Sequence, residues 1–257
     1  MVVEAPSSTV SGAFSGRGFV TRTPITRFFV DSSLEPGELL ELPAGEADHV
    51  LKVLRGRKGD PIEVVDGERR LFAAELRVGR EAAIIEELPA PTGVGTEISL
   101  YQAVPKGGRM DLVVEKATEV GATRIVPLLT ERGIVNPREG KVGRWRRVAE
   151  AAARQSLRLA MPEVAEPVRF RDAASKVGEG GVLLHNTPGL QPLEGVVQAP
   201  ASLFVGPEGG WSEDELRFAE GAGIVLGGLG PYRLRSETAG IVAVARTLAA
   251  LESRVEH

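Results

Sequence analysis

The chain has 257 residues, 42% of them hydrophobic and 26% charged, a balance that suits two packed cores and excludes collagen-like, coiled-coil and largely disordered chains. It contains no cysteine, which removes disulfide scaffolds, thiolate metal sites and cysteine nucleophiles and fits a reducing compartment; with histidine only at His49, His185 and His257, no metal centre is expected. The formal net charge of −4 means that any nucleic-acid contact must come from a local patch and not from the charge of the whole chain.

Residues 1–24 are rich in Ser, Thr and Gly, with Glu4 as their one acid and Arg17 and Arg22 as their bases. That composition reads as a disordered tail or an extension, with an organellar transit peptide as the alternative. No apolar stretch reaches the length of a secretory signal, about 7 to 15 residues, or of a membrane span, about 20. A cytoplasmic protein without a membrane partner is expected.

From residue 25 to about residue 90 short apolar segments alternate with turn signals: RFFV, ELLEL, DPIEVVDG, RLFAAELRV and EAAIIEEL, separated by Pro36-Gly37, Lys58-Gly59-Asp60 and Asp66-Gly67. A small β-barrel over 25–93 follows, with a short helix over 47–54. The stretch PAPTGVGTE, residues 89–97, reads as a linker, which places the second domain at 94–257.

Beyond the linker, strands alternate with amphipathic helices, from ISLYQAV and MDLVVEKATEVG to GIVLGGLG and ETAGIVAVARTLAALESRV. Such alternation predicts an α/β domain with a mostly parallel sheet covered on both faces. Ser212 followed by Glu215 has the form of a capping box, so a helix should start near Glu213 and leave GPEGGW as a strand-to-helix loop.

Ligands of open parallel sheets bind at loops on the carboxyl ends of strands. Three such loops stand out: Leu184-His185-Asn186-Thr187-Pro188, Gly206-Pro207-Glu208-Gly209-Gly210, and Leu229-Gly230 through Ala239. None has the spacing of a dinucleotide or nucleoside-triphosphate fingerprint. Glycines allow close backbone approach, or simply a tight turn. Ser236 is a candidate N-cap, with Glu237 and Thr238 in the first helical turn. Arg233 and Arg235 are either surface ion-pair formers or substrate clamps, and His185 is either a structural or a site histidine.

GPEGG followed by LGPYRLRSETA, together with KGGRMDLVVEKATEVGATRIVPLLTERG, WRRVAEAAARQSLRLAMPEV and the barrel blocks RFFV and HVLKVLRGRKGDPIEVVDG, resembles the RsmE family of ribosomal RNA uridine methyltransferases, in the SPOUT class. The resemblance runs from about Thr26 to near the C-terminus. It implies a PUA-like barrel followed by a trefoil-knotted α/β domain, a homodimer, and methyl transfer from S-adenosylmethionine to N3 of a uridine in small-subunit ribosomal RNA. It implies a cofactor site at Leu184, His185, Asn186, Gly206, Glu208, Gly209, Gly210, Leu229, Gly230, Leu234, Ser236 and Thr238. It implies Arg235 and Arg27 for positioning uracil, with Glu237 as proton acceptor or brace. Gln155, Ser156 and Arg158 fall in a further family block. Where the common pattern reads Arg-Ile-Leu-Arg-Thr-Glu-Thr, this chain has Tyr232-Arg233-Leu234-Arg235-Ser236-Glu237-Thr238, so Tyr232 alters the rim.

For RNA, residues 138–158 carry seven basic side chains, Arg138, Lys141, Arg144, Arg146, Arg147, Arg154 and Arg158, against Glu139 and Glu150, and a second cluster comprises Lys52, Arg55, Arg57 and Lys58. Competing readings are a non-catalytic RNA-binding ribosome-assembly factor on the same scaffold, a transferase acting on another base or a ribose hydroxyl, and an unrelated phosphate-binding α/β enzyme.

Overall fold

The computed structural model describes residues 26–52, 56–89, 96–133, 137 and 140–255. The N-terminal tail, the 93/94 domain boundary, Arg55, Arg138 and His257 lie outside the described residues.

The first unit holds β1 (Arg27–Phe29), β2 (Leu39–Glu41), α1 (Ala44–Lys52), β3 (Pro61–Val65), β4 (Leu71–Leu76) and β5 (Glu81–Leu88). The five strands coincide with the five apolar segments of the sequence. Their order is β1-β3-β4-β5-β2, with β1 parallel to β3 and the other pairs antiparallel. A register shift between Ala73 and Ala74 bends β4, and the sheet curls around Phe28, Val64, Phe72, Leu76 and Ile84. Among the described residues β1 and β2 do not pair, so the unit is a barrel-like curled sheet. Its β3–β4 hairpin turns on Asp66, whose carboxylate accepts from the backbone N–H of Glu68 at 3.0 Å and of Arg70 at 2.8 Å. A side chain at Gly67 would overlap the carbonyl oxygen of Asp31, so that turn needs glycine.

The second unit runs β6 (Ile98–Ala103), α2 (Met110–Glu119), β7 (Arg124–Leu129), α3 (Lys141–Gln155), β8 (Glu163–Val164), β9 (Val168–Arg169), α4 (Phe170–Val177), β10 (Gly181–Leu184), α5 (Leu193–Val196), β11 (Ala201–Val205), α6 (Glu213–Gly221), β12 (Val225–Gly227) and α7 (Ser236–Val255). All strand pairs are parallel, in the order β12-β10-β11-β6-β7-β8 with β9 also on β7. Alternate side chains serve opposite faces. Val182, Leu184, Leu203 and Val205 pack against α2, α3 and α7, whereas Leu183 and Phe204 pack against α4 and α6 through Phe170, Ala174 and Ala219. Both faces are therefore buried, which is why these strands read as continuous apolar runs. The capping box forms as expected: Ser212 Oγ accepts from Glu215 N at 3.0 Å and Glu215 Oε2 from Ser212 N at 2.9 Å.

The two units meet at the end of α3. Leu159 packs with Val65 and Leu71 of the curled sheet, and Arg27 donates to the carbonyl oxygen of Leu157. Leu157 itself has φ +55°, a left-handed value that turns the chain off α3 toward this seam.

Candidate functional site

β10, β11 and β12 are adjacent and parallel, so the loops that leave Leu184, Val205 and Gly227 emerge side by side. They enclose a cavity of about 310 Å³. Eleven of the residues selected from sequence line it: Leu184, His185, Asn186, Gly206, Glu208, Gly210, Leu229, Gly230, Leu234, Arg235 and Ser236. Val205, Pro207, Trp211, Tyr232, Arg233 and Ala239 complete the wall. The lining is mostly apolar and includes two exposed arginines, Arg233 and Arg235, the mix that small-molecule sites show.

Buried Trp211 shapes the glycine loop. Its indole Nε1 donates to the carbonyl oxygen of Leu184 at 3.1 Å, joining the first loop to the second. A Cβ at Gly206 would sit 3.0 Å from the indole ring, so glycine lets the loop pass there without pressing on Trp211. The second and third loops are joined by Ser236. Its Oγ donates to the Gly206 carbonyl oxygen at 2.6 Å and accepts from Gln102 Nε2 at 2.9 Å. Gln102, at the carboxyl end of β6 and 0% exposed, also donates to the carbonyl oxygen of Ala103 at 3.0 Å.

This corrects the expectation that Ser236 is the N-cap of the last helix. The Arg235 carbonyl accepts from Ala239 N at 2.8 Å, which makes Arg235 the cap residue and Ser236 the first helical one. The hydroxyl of Ser236 serves the interloop bridge instead. Trp211 and Gln102 escaped the sequence reading. A glutamine inside the apolar run ISLYQAV was the available signal, because a buried amide must find partners.

Other selected residues stand apart from the cavity. Gly209 faces the loop after β7, its carbonyl accepting from Arg132 Nη1 at 3.2 Å. Thr238 is exposed and outside the cavity wall. Glu237 is 6% exposed and does not line the cavity; Oε1 lies 3.4 Å from Arg109 Nη1, while Oε2 has no partner among the described residues. Arg27 is 5% exposed, with Nε at 2.9 Å and Nη2 at 2.5 Å from Glu63 Oε2, and its remaining nitrogen on Leu157. Its guanidinium is thus consumed by the seam between the two units.

The QSxR block ends α3 and packs back within the second unit. Ser156 Oγ donates to Ala152 O at 2.7 Å, Gln155 is exposed, and Arg158 donates to the carbonyl oxygens of Thr118 and Ala122 at the end of α2. Burial lowers the pKa of that guanidinium from its ordinary value. Three of the seven basic side chains of the stripe pair with acids: Arg144 lies 2.5 Å from Asp111 of α2, Arg146 3.0 Å from Glu166, and Arg154 pairs with Glu150 one turn back on α3 itself. Lys141 and Arg147 remain exposed without a partner among the described residues.

His185 Nδ1 accepts from the Thr187 backbone N–H at 3.3 Å and lies 2.6 Å from Thr187 Oγ1. Since a backbone N–H can only donate, the neutral ring carries its proton on Nε2. Arg233 and Arg235 are exposed at the rim and make no side-chain hydrogen bond or ion pair among the described residues. Two unspent guanidinium groups beside a cavity are available to a ligand.

Residues 94–248 match the family model of an RNA methyltransferase domain. The chain is 34% identical over 232 residues to ribosomal RNA small subunit methyltransferase E of Synechocystis, covering 85% of this chain and 77% of that one. It is 32% identical to the Mycobacterium bovis protein of the same name, covering 84% and 88%. The structure of ribosomal RNA small subunit methyltransferase E from Neisseria gonorrhoeae, bound to S-adenosyl methionine, superposes with a TM-score of 0.81 at 30% identity, covering 89% of this chain and 98% of that one. With matches that run through both units and include all three cavity loops, the chain belongs to the ribosomal RNA small subunit methyltransferase E (RsmE) family.

Proposed function

We propose that this protein transfers a methyl group from S-adenosylmethionine to N3 of a specific uridine in small-subunit ribosomal RNA, on assembled or nearly assembled subunits. The observation that carries this reading is the convergence of three strand-end loops on one cavity whose rim bears two unpaired arginines.

The residues present fit the cofactor. Gly210 and Gly230, at φ +70° and +113°, have no atom within 4 Å of where a Cβ would stand, so backbone and open space face a ligand there. The backbone of residues 184–186, 206–210 and 229–234 would hold it, with Leu184, Val205, Trp211 and Leu234 as apolar wall for its ring system. When bound, S-adenosylmethionine supplies an electrophilic methyl group on a sulfonium sulfur.

The chain's own residues supply orientation and charge. A uridine N3–H is an imide, unreactive until its proton leaves, and the negative charge then spreads over the two flanking carbonyl oxygens. Arg235 donates to those oxygens and favours the anion, and Arg233 stands beside it. The N3 proton passes to water at the open rim. Glu237, off the cavity wall, braces Arg109 and does not take that proton. Ser236 and Gln102 fix the loops so that the two reactants meet in line.

The same reading includes a PUA-like role for the curled sheet in RNA binding, a trefoil knot in the second unit, a homodimer and a cytoplasmic location. No helix among the described residues is long and apolar enough to cross a membrane.

Titration calorimetry with S-adenosylmethionine, followed by transfer of its labelled methyl group to isolated small subunits, tests the proposal. Binding with transfer is expected. Binding of neither S-adenosylmethionine nor its demethylated product would contradict it.

A further inference from the structure

The rim of the cavity has a feature that methyl transfer alone does not use. Tyr232 is 82% exposed, the most exposed large apolar side chain among the described residues, yet it belongs to the cavity wall. Arg233 and Arg235 follow it on the same loop, both exposed and without a partner among the described residues. Beside the cavity, the glycine loop is tied to two further cationic residues. Lys106 N donates to Glu208 Oε1 at 3.1 Å, leaving its exposed ammonium unpaired among the described residues, and exposed Arg132 bonds Gly209. Of the nearby acids, Glu131 lies 3.5 Å from Arg171, while Glu208 accepts the Lys106 backbone N–H and keeps its charge. An exposed phenol ring on a loop with two free guanidinium groups, near a lysine and an arginine tied to the glycine loop of an acidic protein, has the chemistry of a single-strand RNA site, with a π-face for a base and cations for phosphates.

We propose that Tyr232 is a stacking platform for an unpaired nucleobase next to the target uridine, with Lys106 and Arg132, beside the glycine loop, holding the strand's phosphates. The proposal rests on the RNA-methyltransferase reading and deepens it. It moves the RNA path from the α3 helix, where Arg144, Arg146 and Arg154 are neutralised within the chain, to the carboxyl edge of the parallel sheet. Stacking requires a splayed base, so the site selects single strands over duplex.

The test is fluorescence anisotropy of the full chain with a labelled uridine-rich 12-nucleotide single strand, and with the same strand in a duplex. Single-strand binding should exceed duplex binding. Tyr232→Ala should weaken it roughly 5- to 150-fold, the range that loss of one stacked base produces. Tyr232→Phe, which keeps the ring, should bind within about twofold of the parent. Lys106→Ala should reduce the slope of log affinity against log salt by about 0.7, one phosphate contact on a single strand. Tyr232→Ala binding like the parent, equal affinity for duplex, or no single-strand binding by the parent would each overturn the platform. Because the readout is binding, it separates from the activity. A parent that transfers no methyl group while Tyr232→Ala loses affinity sinks the proposed reaction and keeps the platform; a parent that methylates while Tyr232→Ala binds normally does the reverse.

Discussion

The hydroxyl of Ser236 and the carbonyl of Gly206, 30 residues apart in sequence, meet at 2.6 Å and close the cavity between its second and third loops. The bond is part of a relay, since Gln102 Nε2 donates to the same hydroxyl at 2.9 Å. Ser236→Ala strands a buried amide N–H and a carbonyl oxygen together. It should lower stability by about 1–3 kcal/mol in urea unfolding. Calorimetry should show S-adenosylmethionine affinity falling by roughly tenfold, one decade per 1.4 kcal/mol, with Ser236→Thr restoring most of both.

Gly240 lies in α7 against the other end of the Gln102 amide, where an added Cβ would overlap Oε1. Glycine to alanine inside a helix is ordinarily stabilising, by about 1 kcal/mol. Here the sign should invert. Gly240→Ala should lose about 1–3 kcal/mol, as overpacked sites do, and a rise in melting temperature would show that the relay can yield.

Arg235 and Arg27 should separate cleanly. Arg235 makes no side-chain contact that holds the fold, so Arg235→Ala should keep the circular dichroism and melting temperature of the parent while turnover falls below detection. Arg27→Ala leaves Glu63 and the Leu157 carbonyl unpaired in the seam between the units. It should cost about 3 kcal/mol of stability, read by denaturant unfolding, whatever it does to activity.

Much of this fold was legible because local signals agreed. The five apolar segments between turn residues became the five strands of the first unit, and Ser212 with Glu215 formed their box. β8 and β9, two residues each, are too short to carry a period, and α4 buries only Phe170, Ala173 and Ala174. The cavity loops were legible because glycines and a strand-end position imply backbone exposure. The roles of charged residues were not. Arg27, Arg144, Arg146 and Arg158 find their partners on elements distant in sequence, Glu63, Asp111, Glu166 and the Thr118 carbonyl, so they are engaged in ways that a local count cannot see.

Acid should loosen the first unit. Burial alone would raise the Asp66 carboxyl, but hydrogen bonds from the Arg70 backbone and guanidinium and from Leu34 N–H outweigh it and hold the carboxyl below its ordinary value of 3.8. A carboxyl depressed in the folded state stabilises above the unfolded pKa, and that contribution is lost as pH falls through the folded one. Urea midpoints should therefore drop below about pH 4, and Asp66→Asn should be less stable at pH 7 with a flatter acid limb.

The most direct measurement is nucleoside mass spectrometry of small subunits from a strain lacking its own enzyme, after incubation with this protein and labelled S-adenosylmethionine, beside naked ribosomal RNA. Label in 3-methyluridine, from subunits in preference to naked RNA, is the expected result. Label in another nucleoside, or none while S-adenosylmethionine still binds, would contradict uridine N3 transfer.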